Sequence, residues 1–358
     1  MQRRILLAAP ALLAAQSPND TIRVAVIGVG NRGGFLLKHV LAIPGVKVVA
    51  VCDVEPERLA AAVKLSGAAG YPDFRRMLDE RSDIDAVIIA TPVDTHKMIA
   101  IAALELGKHV YCEKPMAVTA EDAGLMRIAA RGAKGIFQAG FQLRHDPNRG
   151  AAVKFILSGG AGRVLFGQGY RHTGDLPRST GWYFDRNRSG DNIVEQACHI
   201  LDLFRWSIGK DPVRAFGSGG ISLYKDTPPG RTTMDNYALI YEFPDDVRVE
   251  FSHLYFDPPG FSGIKERVFC ERGAVDLAAA KWSELGRRGE LAIGVAEAVA
   301  GKDSNRLSLE AFFDNARGRK RPLNDAESAW RSTMMAILGR KAIYEKRVVN
   351  WTEIVPAG

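Results

Sequence analysis

The apolar, β-branched run Ile22 to Ile27 leads without interruption into Gly28-Val29-Gly30-Asn31-Arg32-Gly33. Three glycines at this spacing, between a strand and a helix, leave few choices of fold. Gly28 permits a tight turn, Gly30 lets a pyrophosphate approach the backbone, and Gly33 lets helix and strand pack closely. Asn31 and Arg32 share the turn, whose free N–H groups meet the positive end of the following helix. Phe35, Leu36, Val40 and Leu41 recur at helical spacing, and a second apolar strand, Val46 to Cys52, ends at Asp53. That acid stands 25 residues after Gly28, close to where a carboxylate grips the adenosine ribose hydroxyls. It would repel a 2′-phosphate, so the expected cofactor is NAD rather than NADP. A tight turn in some other βαβ unit is the alternative.

The alternation continues. Ile84 to Ala90 is an apolar strand ending in Thr91-Pro92, followed by a helix from about Thr95 to Leu106 and a strand from Lys108 to Cys112. Thr119 caps another helix, with Asp122 three residues on. Gly135 to Phe141 reads as a further strand. Strands separated by helices imply a doubly wound parallel sheet with ligands at the strand C-terminal ends. Asp53, Thr91, Pro92, His96, Glu113, Lys114 and Gln138 fall at or near such ends and are the expected cofactor contacts. His96 by itself reads more simply as a polar residue at a helix start than as a catalyst.

After about Arg144 the texture changes. One helix, Pro147 to Leu157, precedes strand-like segments at 163–172, 213–223, 237–243, 248–254, 266–270 and 274–277. They describe a large, mostly antiparallel open sheet, closed by helices at 307–313 and 325–344. The expected organisation is α/β: a Rossmann domain over 20–143 and a substrate-binding and oligomerising α/β domain over 144–358.

One helix, Asp191 to Trp206, is apolar around most of its circumference and hence buried. Yet Glu195, His199 and Asp202 fall at i, i+4 and i+7 on one face. Charges on a buried helix are paired or face a polar cavity. Two readings stay open: Glu195 and His199 bond each other in a core network, or they serve a site. No third ligand for a metal is apparent nearby. Before this helix, Tyr170 to Asp191 reads as a loop carrying Arg171, His172, Trp182 and Tyr183, aromatic and bidentate groups suited to a sugar ring.

Hydrophobic residues are 46% and charged residues 25% of the 358, which excludes a mostly disordered chain and a multi-span membrane protein. The net charge of +7 is scattered, and the one dense basic stretch, Arg317 to Arg321, is too short for a nucleic-acid footprint. The four cysteines are far apart and read as small buried hydrophobes. Arg3 and Arg4 precede the uncharged run Ile5 to Ala15 and a polar break, the pattern of a signal peptide over residues 1–16, of twin-arginine type. The expected location is therefore exported and periplasmic, or cytoplasmic if that segment is not a working signal. No later run is long enough to span a membrane.

Together, Gly-Val-Gly-Asn-Arg-Gly, Ala90-Thr91-Pro92, Cys112-Glu113-Lys114-Pro115 and Glu195-x-x-x-His199-x-x-Asp202 resemble the Gfo/Idh/MocA oxidoreductases. The C-terminal pattern of Arg321-Pro322, Ala342-Ile343 and Val348-x-x-Trp351 is also similar. The resemblance implies a Rossmann domain, a second domain whose sheet pairs into dimers or tetramers, and hydride transfer between nicotinamide and a sugar or cyclic polyol. By position, Lys114 resembles the family's lysine beside the reacting carbon and His199 its general acid/base. Glu195 occupies a place where many members carry Asp; from there it could hold the imidazole of His199. Two alternatives accompany this reading. One is an exported glycosidase working through transient oxidation, elimination, hydration and reduction on a tightly held NAD. The other is a catalytically inactive sugar- or nucleotide-binding protein.

Overall fold

The computed structural model describes residues 21–176 and 181–355. The expected signal segment lies outside the described residues. Six strands form the first sheet: β1 Ile22–Ile27, β2 Val46–Cys52, β3 Ala69–Tyr71, β4 Ala86–Ile89, β5 His109–Cys112 and β6 Phe137–Ala139. Their order is β3-β2-β1-β4-β5-β6 and every pair is parallel. This is the doubly wound dinucleotide-binding order, with its switch point between β1 and β4. β1 and β4 are apolar because both of their faces are covered; in β4 all four residues are buried. The crossover helices are α1 Asn31–Leu41, α2 Pro56–Ser66, α3 Phe74–Glu80, α4 His96–Glu105 and α5 Ala120–Gly132. Their ends follow local chemistry. Thr119 Oγ1 accepts from the Asp122 N–H at the start of α5. Pro56 opens α2 and left-handed Gly67 (φ 67°) closes it.

A second sheet of nine strands comprises β7 Val164–His172, β8 Arg214–Gly220, β9 Asn236–Glu242, β10 Arg248–Leu254, β11 Gly263–Cys270, β12 Gly273–Asp276, β13 Lys281–Glu284, β14 Leu291–Ala292 and β15 Val349–Asn350. The order is β14-β13-β12-β11-β7-β10-β9-β8-β15, antiparallel except for the β7–β10 pair. α6 Pro147–Leu157, α10 Cys198–Ile208 and α12 Ala326–Glu345 cover one face. Short α7 Gly181–Phe184, α8 Arg186–Ser189 and α9 Asp191–Glu195 lead into α10.

Two expectations change. α11, Ser304–Gly318, belongs by sequence to the second half, yet Leu309, Phe312 and Phe313 are buried with Val24, Val26, Leu36 and Leu37 of the first sheet's layer. The chain returns to finish the Rossmann core. The helix expected over 191–206 is two helices. Ala197 N–H bonds the carbonyl of Asn192, five residues back, widening the turn between α9 and α10. Apolar periodicity survives this insertion, so the pattern alone hides it. No helix among the described residues is long and apolar enough to cross a membrane.

Candidate active site

A cleft of about 950 Å³ opens at the C-terminal edge of the first sheet. Its floor is the glycine turn. Gly28 adopts φ 81°, which L side chains rarely reach, and a Cβ there would lie 2.7 Å from the backbone N of Thr91. A Cβ on Gly33 would sit 1.6 Å from the Gly28 carbonyl oxygen, so α1 packs on the turn only because that position is bare. Gly30 differs: its nearest neighbour is the far end of Arg58, at 3.4 Å, and its surface is left to the cleft. Asp53 fastens the turn from the next strand. Its Oδ2 accepts from Val29 N–H at 2.8 Å and its Oδ1 from Glu55 N–H at 2.9 Å. Asn31, Arg32, Thr91 and Pro92 line the same cleft. A bare turn at a helix N-terminus, with an acid at the tip of the neighbouring strand, fits a dinucleotide.

Opposite this floor, the second domain supplies Trp182, Tyr183, Arg188, Glu195 and Gln196. Glu195 reaches across to the loop after β5. Lys114 Nζ donates to Glu195 Oε1 at 2.9 Å and to its backbone carbonyl at 2.5 Å. Both side chains are largely buried. Burial, the largest influence, lowers the Lys114 pKa, but Glu195, Cys198 and Glu113 together outweigh it and the net shift is upward, so Lys114 stays cationic. His199 stands edge-on to Phe141, ring centroids 6.1 Å apart, and its Nδ1 is buried with no partner. Burial, followed by the cations Lys114, Arg32, Arg171 and Arg149, holds this imidazole well below its ordinary range. It is neutral at pH 7 and able to accept a proton.

Five expected site residues are placed elsewhere. Glu113 is buried under the turn. Its Oε1 accepts from Arg32 Nε at 2.7 Å and its Oε2 from the Lys114 N–H at 3.2 Å, so it holds other groups in position. His96 is buried with Nδ1 2.9 Å from the Pro115 carbonyl and Nε2 3.0 Å from that of Thr91; it ties two loops together. Gln138 is fully buried against Ser308 of α11. Asp202 forms a buried bidentate pair with Arg144, at 2.7 and 2.8 Å, and accepts from Ser332 Oγ. It shares no face with Glu195, because the widened turn changes the phase. For the same reason Glu195 holds Lys114 rather than His199. His172 lies on β7, not in a loop. Successive strand residues alternate in face: Arg171 points with Gly167 and Gly169 toward α10, while His172 points away, stacking on Tyr170 and meeting Ser252 Oγ at 3.1 Å.

The sequence reading missed Gln196, whose Oε1 accepts from Arg171 Nε at 3.2 Å and from Tyr255 Oη at 2.8 Å. Tyr255 and Tyr183 hydroxyls are 2.7 Å apart. It also missed Gly140, where a Cβ would lie 2.7 Å from Glu113 Oε2. A glycine that touches a side chain 27 residues away leaves no local signal.

Comparison with known proteins agrees with this geometry. Residues 22–141 match the family model described as the Gfo/Idh/MocA oxidoreductase family, NAD-binding Rossmann fold, and residues 151–276 match the Gfo/Idh/MocA C-terminal domain. Inositol 2-dehydrogenase of Salmonella typhimurium (strain LT2) is 29% identical over 195 residues, 53% of this chain and 56% of that protein, so the match spans just over half of that relative's length. Inositol 2-dehydrogenase 3 of Saccharopolyspora erythraea is 30% identical over 301 residues, 82% of each chain. The solved structure of a levoglucosan dehydrogenase in complex with NADH and levoglucosan superposes with a TM-score of 0.82 at 20% identity, covering 94% of this chain and all of that one.

Proposed function

The chain belongs to the Gfo/Idh/MocA oxidoreductase family, and we propose on that premise that it transfers a hydride between NAD and a secondary alcohol of a sugar, sugar derivative or cyclic polyol. The observation that carries the reading is the Lys114–Glu195 contact made between two domains at the dinucleotide cleft, with His199 near enough for the Lys114 charge to act on it. NAD supplies the hydride acceptor when bound. The turn Gly28, Gly30, Asn31, Arg32 and Gly33 would hold its pyrophosphate, and Asp53 its adenosine ribose.

The remaining steps belong to the protein. A secondary alcohol loses a proton from oxygen as hydride leaves carbon. Lys114, kept cationic by Glu195, stabilises the alkoxide that develops. His199, kept neutral, takes the proton. Glu195 holds the lysine ammonium in place and is the positioning residue of the three. Trp182, Tyr183 and Gln196 wall the substrate side, and Gln196 holds Arg171. The engagement of Asp53 with two backbone N–H groups supports a preference for NAD over NADP, since its charge cannot swing away from a 2′-phosphate. Exposed Phe216, Ile240 and Phe269 on the uncovered face of the second sheet support association into dimers or tetramers through that face. Export through residues 1–16, and with it a resident, tightly held NAD, belongs to the same proposal.

The test is formation of NADH by purified protein over a panel of polyols and sugars, beside Lys114→Met. The reading expects turnover that this variant abolishes while NAD still binds. Activity unchanged in Lys114→Met would refute it. Nicotinamide nucleotide released on denaturation, near one per chain, is the expected result for a resident cofactor.

A further inference from the structure

The cations around His199 are not equally matched by acids. Lys114 is paired with Glu195 at 2.9 Å, Arg32 with Glu113 at 2.6 Å, and Arg149 with Glu266 at 2.7 and 3.0 Å. Arg171 has no such partner: among the described residues no carboxylate oxygen lies within 4.0 Å of its guanidinium. Its neighbours on the same face of the sheet are His253 on β10 and Ile264 on β11, neither of them an acid. Its hydrogen bond among the described residues runs from Nε to the neutral Gln196 side chain, 3.2 Å away. The residue is half-buried, and its partner Gln196 lines the cleft.

This arrangement is costly unless something completes it. A half-buried guanidinium with no counter-charge has lost part of its hydration and regained little. Its orientation is fixed all the same. Gln196 Oε1 takes Nε on one side, while Tyr255, itself bonded to Tyr183, donates to Gln196 on the other. Nε is thereby occupied and the two terminal nitrogens are presented as a fork, the geometry that grips a planar carboxylate through two parallel hydrogen bonds.

We infer that Arg171 is the anion-recognising residue of the substrate site, and that the substrate is a sugar acid, a polyol carrying one carboxylate. This rests on the reading that Lys114, Glu195 and His199 surround the reacting carbon. One unmatched positive charge suits one carboxylate; a phosphate dianion would leave a net negative charge beside Glu195. The field at the base points the same way. Arg171 is among the cations that depress His199, and after burial it is the foremost influence depressing His253. A bound carboxylate would offset the Arg171 share of that influence and make His199 a stronger base.

The experiment is calorimetric titration of the NAD-loaded protein with D-glucuronate and with its neutral amide, D-glucuronamide. A fixed charge-assisted pair gives an expected preference for the acid on the order of 10- to 100-fold. Arg171→Gln should abolish the preference. Arg171→Lys, which keeps the charge and loses the fork, should retain part of it; it also guards against a fold lost in the first variant, with NAD binding measured on both. Equal affinity for acid and amide, a preference that survives Arg171→Gln, or tighter binding of glucose 6-phosphate than of glucuronate would each overturn the assignment. The failures separate from those of the hydride-transfer reading. Turnover of neutral polyols with no Arg171-dependent acid preference sinks the sugar-acid assignment alone. An Arg171-dependent preference in a protein that oxidises no sugar or sugar acid sinks hydride transfer alone.

Discussion

Lys114 Nζ sits 2.9 Å from Glu195 Oε1 and also donates to the Glu195 backbone carbonyl, so the lysine and the acid form one unit bridging two domains. The longer arm of glutamate spans this gap from α9. The pair fixes where the ammonium stands and what charge it carries.

Removing the acid should therefore act through the lysine. In Glu195→Gln the buried ammonium loses the foremost influence that opposes its desolvation, and its pKa falls. A raised lysine pKa contributes stabilisation at low pH that disappears as pH rises through that pKa. The variant should lose the charge at lower pH, moving the alkaline limb of the kcat–pH profile toward acid. Turnover at neutral pH should drop by about 10- to 100-fold, in line with loss of one charge-stabilising group. An unchanged alkaline limb would show that Lys114 does not depend on Glu195.

The glycine turn offers a paired prediction. Gly33→Ala places a Cβ 1.6 Å from the Gly28 carbonyl, a clash with backbone that nothing flexible can relieve. It should cost about 1–3 kcal/mol or more in thermal or denaturant unfolding. Gly30→Ala meets only the mobile end of Arg58. It should leave unfolding nearly unchanged and weaken NAD binding by about tenfold or more, because its methyl enters the cleft where the pyrophosphate belongs. Equal loss of stability in both variants would contradict the division of labour between these glycines.

The two outcomes follow what was legible in the sequence. The turn, α6 at Pro147–Leu157 and β10 at Arg248–Leu254 are local patterns, and their residues carry them openly. Lys114 and His199 stand out by position, at a strand end and on a buried helix face, and motif resemblance supplies their expected roles. What stayed hidden depends on contacts distant in sequence or on one extra residue in a turn. The widened turn at Gln196 and Ala197 turns Glu195 toward Lys114, though the apolar periodicity on either side reads as one helix. Asp202 looked like a site residue because its partner Arg144 is 58 positions away. His172 and Arg171 looked equivalent because a loop has no faces and a strand does. α11 completes the first domain after the chain has built the whole second sheet, which no window of local pattern can foresee.

Asp202 supplies a direct test of that correction. Its carboxylate and Arg144 are both almost wholly buried. Asp202→Asn would leave an uncompensated guanidinium in the core, a loss of about 3–5 kcal/mol in denaturant unfolding. KM measured on the folded fraction at low temperature should stay within about twofold of wild type, since a group that serves only the core adds nothing to uniform substrate binding. A large rise in KM with stability intact would return Asp202 to the substrate site.

Arg188 and Asp94 join the two domains across the mouth of the cleft, with Nε 2.8 Å from Oδ2. Arg188 lines the cleft from α8, while Asp94 lies in the turn just before α4, next to Thr95, which lines the opposite wall. Both side chains are partly exposed, so the pair contributes little to global stability. Its position suits a clasp over a dinucleotide held in the cleft. Arg188→Ala and Asp94→Ala should each speed NAD dissociation by about two- to fivefold, the range of an exposed pair of about 0.2–1 kcal/mol, and the double variant should add nothing to either. Raising salt should speed release from wild type toward the variant rate and leave the variants unmoved. Stopped-flow release of the nucleotide reads all four rates, and additive effects in the double variant would show that the two residues act independently.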